Sequence, residues 1–206
     1  MSNLFFRTAM GLIASMAMTS CALDATTTTK VQKGMPHPPC PKLVAKDFGR
    51  QKDKHGMTTY KHDEHRRHVR TTSYSHMEKE KGCHGLKSAA GCQLKYTNKV
   101  RSAAADWSVY PMGTKFKIKG LPYVYEVNDY GSALVGTNTI DLFKPNLSTM
   151  RKWGTRKVEI TVIEWGSYEQ SRRILSGRTR YKHCRKMHSA IVKKLNTGQV
   201  AKLENS

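Results

Sequence analysis

The sequence predicts an all-β domain of about 100 residues, a small barrel or sandwich. Three observations carry this. Short runs of β-branched and aromatic residues alternate with turns between Ser102 and Ser167. Gly113, Gly120, Gly131, Gly136 and Gly154 fall between those runs. Hydrophobic residues make up 38% of the 206-residue chain, too few to pack all of it and enough for a core of about 100 residues.

The strands follow in order. Val69 to Ser75 (VRTTSYS) is β-prone and marks the start of the domain. Thr114 to Ile118 alternates in polarity, and Tyr123 to Val127 is aromatic and β-branched. Thr139 to Phe143 is a further short run. Arg156 to Ile163 gives the strongest strand signal, since Val158, Ile160 and Val162 share one face. A short helix is predicted from Ser148 to Trp153, capped by Ser148 or Asn146 and ended by Gly154.

Around this domain the composition changes. Residues 1–20 read as a signal peptide: Arg7 precedes the apolar run Ala9 to Met18, too short to cross a membrane as a helix. Cys21 directly after Ser20 resembles a lipidation site, with cleavage after Ala25 as the alternative. Residues 21–68 read as a disordered tether, with a Thr run, four prolines and then Lys, Arg and His. Residues 168–206 read as a basic tail in which Ala190, Ile191, Val192 and Leu195 line one side of a marginal helix. If Cys21 carries lipid, Cys40, Cys83, Cys92 and Cys184 remain. Cys83 with Cys92 and Cys40 with Cys184 are the favoured disulfides, and free thiols are the alternative.

With 36 Lys and Arg against 15 Asp and Glu, the formal net charge is +21. That favours an anionic partner. Export removes nucleic acid from reach, and no nucleic-acid motif is present; anionic envelope polymers are the expected partners. His62, His65 and His68 are spaced for one helix face, but their charged neighbours make a solvated linker the expectation, with no metal and no cofactor.

In so basic a domain Asp106, Asp129 and Asp141 stand out. Asp106 and Asp129 also suit turns, and Asp141 suits an exposed edge position. If buried between Ile140 and Leu142, however, Asp141 would be pushed toward its neutral form, and a second carboxylate nearby would push it further.

These residues carry a family resemblance. Ala105 to Thr114 (ADWSVYPMGT) resembles the "AVDPxxIPLGT" block of bacterial 3D-domain proteins, named for three aspartates. Asp129 to Gly136 (DYGSALVG) is similar to their "DTGGAIKG" block, and Ile140 to Phe143 (IDLF) to "IDVF/IDLY". The resemblance runs over residues 69–167, in the family's order. Tyr130, Ser132, Val135 and Trp107 depart from the pattern. It implies a six-stranded double-psi β-barrel like the catalytic barrel of MltA-type lytic transglycosylases. It also implies an enzyme cutting the β-1,4 bond between N-acetylmuramic acid and N-acetylglucosamine, with a 1,6-anhydro product. Asp141 would be the acid/base, Asp129 its partner, and Asp106 the third member of the cluster; the first two roles are interchangeable at this level. Thr114, Gly131, Ser132, Ala133 and Gly136, with Tyr74 as an aromatic platform, are the expected substrate contacts. The alternative is an expansin-like barrel that binds glycan in the envelope without cutting it.

Overall fold

A computed structural model describes residues 38–39, 49–78, 85–198 and 200, all within the unit Pro36–Ser206. Six strands close into a barrel: β1 (Arg66–Tyr74), β2 (Val100–Ala104), β3 (Lys115–Ile118), β4 (Val124–Asp129), β5 (Thr139–Phe143) and β6 (Arg156–Glu164). Around the barrel the order is β1-β5-β2-β4-β3-β6 and back to β1. β1 runs parallel to β5, and β2 parallel to β4; the remaining neighbours are antiparallel. This is the predicted all-β barrel with six strands.

Period-two alternation builds the core. Val158, Ile160 and Val162 of β6 point inward, fully buried with Ile140 and Leu142 of β5. Phe116 of β3 pairs in register with Tyr125 of β4, and their rings stack 5.4 Å apart. Each such side chain contributes about 1.5–3 kcal/mol by leaving water. Helix α1 (Leu147–Trp153) lies one residue from its predicted start. Asn146 is the cap, accepting from the Thr149 N–H at 2.9 Å, and Gly154 ends the helix at φ 61°.

Two segments differ from the sequence reading. Among the described residues of 168–206 there are two helices, α2 (Tyr168–Ser176) and α3 (Lys182–Asn196), rather than a weakly docked tail. Leu175, Cys184, Met187 and Ile191 are fully buried in the hydrophobic core. The stripe that docks them is only one residue wide per turn, so the basic background hides it. The described structure also includes residues before 69. β1 starts at Arg66, and residues 49–65 are held by polar anchors: Asp53 accepts the Asn138 N–H at 2.6 Å, and Asn138 Nδ2 donates to the Thr58 carbonyl at 2.8 Å. Hydropathy is blind to such anchors.

Cys92 and Cys184 carry free thiols; their expected partners Cys83 and Cys40 lie outside the described residues, as do Cys21 and the N-terminal apolar run. His62 and His65 pack on Trp165. Among the described residues, no group of three metal-binding side chains occurs, and no helix is long and apolar enough to cross a membrane.

Candidate active site

Strand register assembles the site. Ala104 of β2 pairs with Asp129 of β4 on one side and with Asp141 of β5 on the other. Asp141 in turn pairs with Thr72 of β1. Residues in register share a face of the sheet, so Asp129, Ala104, Asp141 and Thr72 form one row across four strands. The row faces outward, because Ile140 and Leu142 beside Asp141 point into the core. With strands about 4.8 Å apart, the two aspartate backbones stand roughly 10 Å apart. In the row, Ala104 stands between them.

A bulge makes this possible. The register shifts between Ala103, paired with Val127, and Ala104, paired with Asp129. Asn128 is the extra residue, buried and donating from Nδ2 to Ser102 Oγ at 2.7 Å. Without the bulge Asn128 would oppose Ala104 and Asp129 would leave the row.

The two carboxylates have different surroundings. Asp129 accepts hydrogen bonds from the Ala89 N–H at 3.0 Å, the Tyr130 N–H at 2.9 Å and the Tyr74 hydroxyl at 3.2 Å. Burial, with the charges of Asp129 and Asp141, holds the Tyr74 phenol well above its usual range, so it stays a donor. Asp141 accepts the Thr72 hydroxyl at 2.7 Å. Burial first, then the negative charges of Glu78 and Asp129, push Asp141 up to about 6, against the opposing pull of Thr72 and Arg70. Chemically the row offers a carboxyl able to give and retake a proton near neutral pH, with a second carboxyl nearby.

Asp106 does not join this row. Its buried carboxylate accepts the Ser108 N–H at 2.8 Å, the Ser108 hydroxyl at 2.6 Å and the Gly136 N–H at 2.7 Å. It lines a separate cavity of about 230 Å³ beneath α3. Its contribution to the row is indirect: the residues on either side of it brace β4, through the Ala105 N–H and Trp107 Nε1, both donating to the Asp129 carbonyl. Thr114 is buried and donates to the Pro111 carbonyl at 2.6 Å. Gly131 opens a 3-10 turn at Ser132–Leu134 just beyond Asp129, where Ser132 and Ala133 are exposed. Gly136, at φ +80°, borders the cavity.

Sequence reasoning missed four contributors: Thr72, Glu78, Ala89 and Arg178. Arg178, from the supposed tail, donates to the Ala89 carbonyl at 3.0 Å and to the Tyr130 hydroxyl at 3.1 Å, steadying the peptide that serves Asp129. Only Thr72 had a signal, its place two residues before Tyr74 on one strand face.

A family model described as the 3D domain matches residues 101–164, the stretch that holds all three aspartates and the bulge. The matched segment runs from the second residue of β2 to the end of β6, so Thr72 of β1 completes the row, and Tyr74 of β1 bonds to Asp129, from outside it. A Bacillus subtilis (strain 168) protein described as "Putative cell wall shaping protein YabE" is 37% identical over 82 residues. That stretch is 40% of this chain and 19% of the relative, so the chain matches about a fifth of that protein's length. Among solved structures, a mutant Clavibacter michiganensis expansin in complex with cellohexaose is 12% identical with a TM-score of 0.35, over 50% of this chain and 52% of that one.

Proposed function

We propose that this protein is a lytic transglycosylase of the cell envelope, cleaving the β-1,4 bond between N-acetylmuramic acid and N-acetylglucosamine in peptidoglycan. The observation that carries the reading is the outward row in which Asp141, bonded to Thr72, stands across Ala104 from Asp129. The 3D domain and the cell-wall description of the YabE relative support the substrate class.

In this reading protonated Asp141 donates to the glycosidic oxygen as the bond to C1 breaks. Positive charge then develops at C1 and the ring oxygen. Asp129, held by Tyr74 and two backbone N–H groups, faces that charge. Ionised Asp141 next takes the proton of the sugar's own C6 hydroxyl, whose oxygen closes on C1. One carboxyl thus serves both steps and no water enters, unlike glycoside hydrolysis, where a second carboxyl acts as nucleophile or activates water. Ser132 and Ala133, exposed beyond Asp129, would contact flanking sugars. The N-terminal apolar run and Cys21 would deliver and anchor the protein, and its basic surface would hold it against anionic wall polymers.

Mass spectrometry of muropeptides released from purified sacculi tests this. The wild type should release 1,6-anhydro products. Asp141→Asn should release none and still bind sacculi. Binding without release by the wild type would favour the non-cutting, expansin-like alternative.

A further inference from the structure

The cavity beneath α3 belongs to no part of the mechanism above, and its lining has a distinct charge pattern. Its volume is about 230 Å³, room for roughly seven waters at liquid density. Lys186, Ala190 and Lys194 of α3 line one wall. They are spaced at i, i+4 and i+8, hence on one helix face, and small Ala190 keeps the space between the lysines open. Arg67 also lines the cavity, 2% exposed. Asp53 and Asp106 are the carboxylates of the lining.

The carboxylates are already occupied by neutral donors. Asp106 takes the three bonds from Ser108 and Gly136. Asp53 accepts the backbone N–H groups of His55, Met57 and Asn138. Among the described residues no close ion pair involves Arg67, Lys186 or Lys194, although the charge of Asp106 acts on Lys194. Arg67 uses Nε and one terminal nitrogen, Nη2, on the carbonyls of Glu64, Lys61 and His62, and the Tyr110 hydroxyl is a further side-chain partner. Its guanidinium lies over the rings of Trp165 and Tyr110, at 4.8 and 5.1 Å from their centroids. Lys194 Nζ donates to the Ser108 carbonyl. Lys186 Nζ lies 2.7 Å from where a side chain on Gly136 would begin, so the ammonium stands close against the Gly136 loop. His62, in the same lining, is pushed down to about 4 by burial and by the charges of Lys194 and Arg67, and adds no positive charge near neutral pH. Three basic side chains therefore line a partly enclosed space whose two acids are held by neutral donors.

We propose that this cavity is a binding site for a compact anion, a phosphate or carboxylate group either free or on a small organic body, held by Arg67, Lys186 and Lys194. Guanidinium and ammonium groups are the usual partners of such anions, and the aromatic ring of Tyr60 in the lining suits an organic body. The site does not depend on glycan cleavage.

Calorimetric titration of the full chain with inorganic phosphate, and separately with acetate, at constant ionic strength tests it. Chloride serves as the screening control. Saturable one-to-one binding of either anion is expected. Lys186→Glu, on an exposed position of α3, should weaken it at least tenfold. Ala190→Leu, which fills the cavity without changing charge, should weaken it to a similar extent. Asp141→Asn should bind as the wild type does. A response no greater than that to chloride would overturn the proposal, as would undiminished affinity in both α3 variants with their helical signal intact.

Discussion

Asp141 and Asp106 fall in the same segment matched by the 3D-domain model, yet their surroundings are opposite. Asp141 lies on the outer face of β5 with one hydroxyl bonded to it and two acids nearby. Asp106 is buried in a loop with three neutral donors closed around it. The first arrangement favours holding a proton that can be given away; the second favours holding a loop. Residue identity alone assigns no role: the number of donors and the neighbouring charges do.

Substitutions at the two positions should therefore fail differently. The largest effect is expected for Asp141→Asn, with release of anhydro-muropeptides falling on the order of 100-fold or more in an assay on purified sacculi. A variant that kept its activity would remove the distinction. Asp106→Asn should act on folding instead. It presents an amide to the donors of Ser108 and Gly136, costing about 1–3 kcal/mol in urea denaturation, with activity following the folded fraction.

The pH dependence of stability sharpens the contrast. Folded Asp141, raised to about 6 from 3.8, binds its proton more tightly than the unfolded chain does. Below about pH 4 both states are protonated and the group costs nothing. Stability then falls as pH rises through the window between about 4 and 6, by up to about 3 kcal/mol before screening by solvent. Asp141→Asn should consequently stabilise the protein by about 1–2 kcal/mol at alkaline pH and leave it unchanged near pH 3.5, measured by parallel denaturation series. The smallest effect is expected for Tyr74→Phe. Loss of one hydrogen bond to Asp129 should cost about 1 kcal/mol and lower turnover several-fold.

How far the sequence carries this comparison depends on whether the cause is local. β6 was legible because Val158, Ile160 and Val162 alternate without interruption, and α1 because its cap and terminating glycine lie within the helix's own sequence. Asp129 and Asp141 were legible as an acid pair from their motif blocks and their setting. Their separation from Asp106 was not, because it depends on Gly136 and Ser108 reaching back to one carboxylate. The bulge at Asn128 was equally hidden, since an extra residue is defined only against the strand it pairs with. α2 and α3 escaped notice because Tyr168, Ser171 and Leu175, then Cys184, Met187 and Ile191, form narrow stripes among many basic residues. That omission also concealed Arg178 and the cavity wall.

The most direct test of the central claim is a carbon-13 NMR titration of the Asp141 carboxyl, assigned by its loss in Asp141→Asn. A midpoint near 6 is predicted. A midpoint near 4, as for an ordinary exposed aspartate, would contradict the proton-donor role and leave the row as a binding surface.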